Sequence, residues 1–337
     1  MGPVEALDRV VYLLDRVLAE SQKVRAFVRA RDVAAEVGED ELAERNRQGR
    51  LTDLPGIGPV TANVISEALE GKVPAYVAKL EEETVLPLGE GADLRAALRG
   101  DCHSHSTWSD GGASIETMAR TAQELGHEYL VLTDHSPRLT VAHGLTAERL
   151  RAQLDEIREL NEKLTPFRIL TGIEVDILPD GSLDQNDALL AELDVVVASV
   201  HSKLRMPRED MTRRMVLAMA HPLVDVLGHC TGRKVVGSQR PQSQFDADIV
   251  FAACARFDVA LEINCRPERQ DPPEDLLEQA IGWGLRFSID TDAHAPGQLE
   301  WQVYGCDKAA KAGIPPDRIV NTRSADDLVT WAGSNPA

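Results

Sequence analysis

Apolar residues recur at three- and four-residue spacing through ALDRVVYLLDRVLAE, from Ala6, and again through VRAFVRARDVAAEV, from Val24. That period predicts amphipathic helices over the first part of the chain. The stretch LPLGEGADL (86–94), with two glycines and a proline, then reads as a linker. Beyond it the pattern changes to short apolar runs alternating with helical stretches. The predicted strands are 97–103, 128–135, 167–178, 195–202, 224–230, 259–265 and 285–294, and between them lie helices such as SIETMARTAQEL, TAERLRAQLDEIRELNEKL and PREDMTRRMVLAMA. Repeated strand–helix alternation predicts an α/β domain built on a parallel barrel or a doubly wound sheet. The expected organisation is therefore an all-α domain at 1–92 and an α/β domain at 95–335.

The polar residues choose between the two α/β architectures. His103, His105, His135, Glu174, His201, His229, Asp292 and His294 all fall at the C-terminal ends of predicted strands. A barrel converges those ends on one face around a common axis. An open sheet would spread them along an edge too wide for one compact site.

Composition narrows the chemistry. Six of the nine histidines sit at strand ends, in DCHSHS, LTDH, SVHS, LGHC and DTDAH. Asp110, in WSDGG after the first strand, and Glu174, in GIEVD, supply carboxylates nearby. In His103-x-His105 alternate residues of a strand tip point the same way, so both imidazoles can reach one ion. Imidazole with carboxylate and no thiolate suits manganese, zinc or iron(II) better than calcium or magnesium. Nine potential ligands exceed the needs of one ion, and about two to three closely spaced divalent ions would suit phosphoryl chemistry. His127 and His221 read as structural, and His143 as a residue near the pocket. Five scattered cysteines without a CxxC pair argue against a disulfide frame. The absence of a long apolar run or a signal-like N-terminus points to a cytoplasmic protein with no membrane span. A net charge of −19 argues against a surface coated for nucleic acid, although a local basic face is compatible with it.

Taken in order, HxH…SDG…TDH…GxExD…VHS…GHxTGR…EIN…R…TDAH resembles the polymerase and histidinol phosphatase (PHP) superfamily over roughly residues 95–335. It is most similar to the PHP domain of bacterial X-family DNA polymerases. The resemblance implies a distorted (β/α)7 TIM-like barrel with three metal positions. His103, His105, Glu174 and Asp292 would hold one ion. Glu174 would bridge to a second held by His201 and His229, and Asp110, His135 and His294 would hold a third. Arg233 and Arg269 match positions that are basic in the polymerase-type members, so they are the expected phosphate clamp beside the catalytic Glu174. Lys203, Arg205 and Arg266 are weaker candidates. Cys102 and Cys230 depart from the family pattern without removing a ligand.

In the N-terminal region LPGIGPVTANVISEAL (54–69) has the form of a helix-hairpin-helix, whose Gly-rich turn can offer backbone N–H groups to a DNA phosphate. Gly56 and Gly58 allow the turn, and Pro59 suits the first helical position. Lys23, Arg25, Arg29 and Arg31 form a basic stripe ahead of it. This half is similar to the small N-terminal domain of X-family polymerases. The polymerase palm would stand between the two regions, where only a short linker lies, so nucleotide polymerisation is not expected. The expected function is a metal-dependent phosphoesterase acting at DNA 3′ ends, as a 3′–5′ exonuclease or 3′-phosphatase in repair. The alternatives are a small-molecule phosphatase acting on a phosphorylated metabolite, and a non-catalytic DNA-binding module.

Overall fold

Ala6, Leu7, Val10, Leu13 and Leu14 line one face of the first helix, α1 (Pro3–Arg16), and all are buried. They pack with Phe27, Ala30 and Ala34 of α2 (Ser21–Val37) and Leu42 of α3 (Glu39–Arg47). Val64, Ile65 and Ala68 of α4 (Pro59–Leu69) and Val77 and Leu80 of α5 (Ala75–Glu83) complete that core. Helices α3 and α4 flank the LPGIG turn, which buries Leu51, Leu54 and Ile57 beneath it. Pro59 opens α4, and Thr61 closes its first turn, accepting from the Gly58 N–H at 2.9 Å and donating to the Gly58 carbonyl at 3.0 Å.

The computed structural model describes residues 1–334 and divides into two compact units. One comprises Met1–Leu86 with Pro296–Gln298, and the other Pro87–Ala295 with the chain from Leu299 onward. Residue 335, the far end of the sequence-derived barrel range, lies outside the described residues. The stretch read as linker is not all coil, because α6 (Ala92–Ala97) begins inside it, with Asp93 in its first turn.

The second unit contains all seven expected strands. They are β1 (Gly100–Asp101), β2 (Tyr129–Leu132), β3 (Arg168–Asp176), β4 (Val195–Ser199), β5 (Val226–Leu227), β6 (Ala260–Asn264) and β7 (Phe287–Asp290). They run parallel in the order β1 to β7. Seven helices separate or follow them: α7 (Ile115–Glu124), α8 (Ala147–Leu164), α9 (Asp187–Leu190), α10 (Arg208–Met219), α11 (Ala247–Phe257), α12 (Glu274–Gly282) and α13 (Gln302–Lys311). A last helix, α14 (Ala325–Ala332), packs Leu328 and Trp331 against Tyr129, Val131, Val195 and Val197. Strand alternation sorts the two faces. Leu130 and Leu132 meet Ile115 and Met118 of α7 and Ile157 and Leu160 of α8, whereas Tyr129 and Val131 face the other way.

The sheet closes between β7 and β1 without a regular ladder. Ser104 bridges Ala293, and the His105 N–H donates to the Ala293 carbonyl at 2.8 Å. Lower down, the Asn321 amide donates to the Gly100 carbonyl at 3.1 Å and the Ile289 carbonyl at 2.7 Å, and Gln302 reaches the same two carbonyls at 3.0 and 3.2 Å. Buried main-chain groups need partners, and here side-chain amides supply them.

β1 is shorter than the predicted 97–103 for a related reason. The N–H groups of Cys102, His103 and Ser104 donate to side-chain oxygens of Asp290, Asp101 and Thr133 at 2.9, 3.1 and 3.0 Å. Bonding to side chains releases the chain from the ladder just where the first two histidines begin.

Candidate metal centre

The nine expected ligands lie in or after six strands of the barrel. His103 and His105 follow β1, with Asp110 in the loop beyond; His135 follows β2; Glu174 lies in β3; His201 follows β4; His229 follows β5; Asp292 and His294 follow β7. Gly228 makes room for this. A Cβ there would stand 2.2 Å from Ser199 Oγ and 2.9 Å from Val197 Cγ1, so a side chain would push the His229 loop off the barrel. Asp292 has a φ of +52°, in the left-handed region that residues other than glycine seldom adopt.

The six imidazoles form one cluster, with His105 4.1 Å from His294, 4.5 Å from His135 and 5.1 Å from His103 between ring centroids. Glu174 is the hub. Its Oε2 lies 2.8 Å from His135 Nδ1, 3.4 Å from His103 Nε2 and 3.7 Å from His105 Nε2. Its Oε1 lies 2.9 Å from His229 Nε2 and 3.2 Å from His201 Nε2. Asp292 Oδ1 is 3.4 Å from His105 Nε2, and Asp110 Oδ1 stands 3.5 Å from His135 Nε2 and 3.3 Å from His294 Nε2. The tertiary structure thus brings all nine sequence-derived candidates together.

Three overlapping groups have donor atoms within 4.8 Å of one another: His105, Asp110, His135 and His294; His103, His105 and Glu174; His135, Glu174 and His201. The donor set fits divalent cations. His103 Nε2, both ring nitrogens of His105 and of His201, and Glu174 Oε2 are buried and make no hydrogen bond of good geometry. Unpaired buried polar atoms are costly, and so many converging on one point call for ions.

A second ring of residues aims the ligands. Glu262 of β6 is fully buried; its Oε1 takes the His103 Nδ1 proton at 2.6 Å, which leaves Nε2 facing Glu174. Glu262 Oε2 accepts from the His229 N–H and from Asn264 Nδ2, the latter at 3.1 Å. Asp176 accepts the His201 N–H at 3.1 Å and lies 3.6 Å from its Nδ1. The Asp292 carbonyl stands 2.9 Å and Arg266 Nη1 2.8 Å from His294 Nδ1, which leaves Nε2 facing Asp110. Carboxylates or carbonyls behind the far ring nitrogen are the usual support of metal-binding imidazoles. Glu262 and Asn264 were legible in LEIN, where two polar residues at alternate positions of an apolar strand must face the barrel axis.

Electrostatics follow the geometry. Burial works to raise the Glu174 carboxyl, but His201, His103 and His135 together hold it well below the usual carboxylate range. Asp292 is likewise held well below it, against burial, by Arg266 and His103. Burial opposes protonation of His201, yet Glu174 and Asp176 push it up to about 9. Burial with His294 and His135 beside it drives His105 the opposite way.

The cations are arranged differently from the expected clamp. Arg269 does face the cluster, with Nε 3.2 Å from Asp292 Oδ2. Arg233 instead donates through Nε to the Arg269 carbonyl at 3.1 Å and through Nη2 to the Gln270 carbonyl, and it lines a cavity of about 580 Å³ with Cys265, Tyr304 and Lys308. Arg266, a weaker candidate from sequence, donates from Nη1 to the Asp292 carbonyl at 2.7 Å and packs its guanidinium 5.4 Å over the Trp301 ring. Lys203 and Arg205 are exposed. His127 pairs with Arg95, whose Nη2 is 3.1 Å from its Nε2.

In the N-terminal unit Lys23, Arg25 and Arg29 are exposed on α2, with the Lys23 ammonium 5.5 Å above the Tyr76 ring. Gly56, at φ +105°, leaves space that the Arg29 stem fills: a Cβ there would lie 2.8 Å from Arg29 Cγ. Gly58 faces open space. Arg31 is tied to Asp32 and Asp8, at 2.6 and 3.2 Å. Among the described residues no helix is long and apolar enough to cross a membrane.

Comparison with known proteins places the chain in a family. Residues 101–266 match the family model described as the PHP domain. The chain is 40% identical over 238 residues to the "DNA polymerase/3'-5' exonuclease PolX" of Bacillus subtilis, covering 71% of this chain but only 41% of that relative. A protein of Tolumonas auensis named "Probable phosphatase" is 30% identical over 238 residues, 66% of this chain and 88% of its own. A solved structure of histidinol phosphate phosphatase from Lactococcus lactis, complexed with zinc, L-histidinol and phosphate, is 20% identical, with a TM-score of 0.46 over 63% of this chain and 93% of that one. The chain belongs to the PHP domain family, with the His/Asp/Glu cluster of a metal-dependent phosphoesterase at the mouth of its barrel.

Proposed function

We propose that this protein hydrolyses phosphoester bonds at DNA 3′ ends, as a 3′–5′ exonuclease or 3′-phosphatase acting in repair. The observation that carries the reading is Glu174 in contact with five imidazoles while Arg269 stands at the same cluster, a site built for cations and an anion together. His103, His105, Glu174 and Asp292, then His201 and His229 through Glu174, then Asp110, His135 and His294 would hold about two to three manganese, zinc or iron ions. Such ions supply Lewis acidity at the phosphorus and water acidic enough to attack at neutral pH. Glu174 holds the ligand set together. Arg269 and Arg266 offset phosphate charge from the side of Asp292. Arg233 acts by bracing the loop that carries Arg269, since two of its nitrogens are given to main-chain carbonyls.

The N-terminal unit would hold the DNA backbone. Lys23, Arg25 and Arg29 supply exposed cations, and the α4 N-terminus behind Gly58 is open to a phosphate. Similarity to PolX over the shared region supports DNA as substrate. The test is to incubate metal-loaded protein with 3′-labelled single- and double-stranded DNA beside histidinol phosphate. Loss of label from DNA at a higher kcat/KM supports the proposal. Preferential hydrolysis of histidinol phosphate would transfer the assignment to a small phosphorylated metabolite.

A further inference from the structure

The loop after His229 folds back on itself beside the metal centre. Lys234 and Arg240 pair across it by two main-chain hydrogen bonds of 2.9 Å each, with the tip 235–239 between them. Its base follows directly from His229: Arg240 Nε donates to the Gly232 carbonyl at 2.6 Å, and Thr231 is held by Asp271. Its side is fastened to the loop of Arg266 and Arg269, because the Val235 N–H donates to the Glu268 carbonyl at 2.7 Å. The hairpin that carries Lys234 and Arg240 is thereby fastened to the loop that carries Arg269, whose charge acts on both.

Burial and then Arg269 act on both of these cations in the same sense, lowering the Lys234 ammonium and the Arg240 guanidinium. Among the described residues no carboxylate lies within 4.0 Å of a Lys234 or Arg240 nitrogen, and Glu268 is committed to Arg266 at 2.9 Å. On a chain of net charge −19 this is a concentration of like charge, because the acidic groups that act the other way, Glu268 on Lys234 and Asp271 on Arg240, are themselves engaged by Arg266 and by the Thr231 N–H and hydroxyl. Proteins hold cations together in this way where an anion is to be received.

We propose that Lys234 and Arg240 form a second anion subsite, which takes the next phosphate of a nucleic-acid strand whose terminal phosphoester lies at the metal centre. The inference rests on the hydrolytic site proposed above and adds the direction of the strand: it leaves the centre over the 231–243 hairpin. A monophosphate would fill the centre alone, and only a chain of phosphates would reach the hairpin.

The test compares the protein with K234A and K234A/R240A variants. Thymidine monophosphate and thymidylate oligomers of two to six residues compete against hydrolysis of p-nitrophenyl phosphate, and binding of a labelled oligomer to chelator-treated protein is followed by fluorescence anisotropy. For the unaltered protein the inhibition constant should fall about tenfold or more from monomer to oligomer. In the double variant that gain should shrink to about twofold, and kcat and KM for p-nitrophenyl phosphate should be unchanged. The salt slope of oligomer binding should drop by ~0.7 for each phosphate that is no longer neutralised. K234A, which keeps the Arg240 bond to Gly232, should show an intermediate effect and guards against misfolding of the hairpin. Absence of any gain with length in the unaltered protein, or an equal loss for monomer and oligomer in the variants, overturns the inference. A length-dependent gain without cleavage of the oligomers would leave the subsite standing and overturn the assignment to DNA hydrolysis.

Discussion

Glu262 never reaches the expected ions, yet its replacement by glutamine should weaken them. Its Oε1 accepts the His103 Nδ1 proton at 2.6 Å, and its Oε2 accepts from the His229 N–H and from Asn264. A carboxylate accepts on both sides, whereas an amide accepts on one. If the new NH2 faces His103, the imidazole must accept at Nδ1 and carry its proton on Nε2, the atom that points at Glu174 3.4 Å away, so it can no longer ligate. If the NH2 faces the other way, it confronts two donors, at a cost of about 1–3 kcal/mol for buried groups left unpaired. Either orientation loses support that is typically worth about 10–100-fold in metal affinity or activity, or ~1.4–2.7 kcal/mol. Titration of the E262Q variant with zinc or manganese against a chelating dye measures this directly. Thermal unfolding with and without metal separates it from a folding defect. In chelator the variant should melt at or somewhat below the unaltered protein, because a buried donor is left unpaired in one of the two orientations. The upward shift on adding metal should shrink by the same ~1.4–2.7 kcal/mol. Metal affinity and kcat/KM both within twofold of the unaltered protein would refute the reasoning.

Four further outcomes are expected. Glu174→Gln should lower kcat by at least about 10³-fold with the fold intact by circular dichroism, since it removes the one anion shared by five imidazoles; a variant with near-normal turnover would exclude Glu174 from the site. Burial, then Arg95, pushes His127 down to about 3, so stability is complete above about pH 6.5, the unfolded value, and falls as the pH drops towards 3. About 2 kcal/mol should be lost by pH 5, and denaturant unfolding of a His127→Gln variant should show a flatter pH profile over that window. In the N-terminal unit Gly56→Ala should destabilise by about 1–3 kcal/mol, because it forces a side chain into φ +105° and against the Arg29 stem. Gly58→Ala, facing open space, should leave melting unchanged and weaken only DNA binding measured by anisotropy.

Much of the architecture was legible along the chain because strands and helices impose different periods on it. Alternation within YLVL already assigns Tyr129 and Val131 to one face of the sheet and Leu130 and Leu132 to the other, and the structure packs them so. The nine candidate ligands were legible too, since eight of them stand at the ends of apolar runs where side chains turn to a common face, and Asp110 follows the first of these in WSDGG. Strand lengths were not. The predicted β1 ran to His103, but the amides of Cys102 and Ser104 find side-chain oxygens of Asp290 in β7 and of Thr133 just after β2, partners remote in sequence. The placements of Arg233 and Arg266 were hidden for the same reason. In sequence both are cations near the motifs, and only the path of the 264–271 loop turns one towards carbonyls and the other towards Asp292 and His294. The juxtaposition of Gly56 with Arg29, and of Lys234 and Arg240 with Arg269, likewise required folding. Local periodicity and residue chemistry decide which groups are offered to the barrel mouth. Which of them meet, and through which atoms, depends on contacts between distant segments that no local pattern encodes.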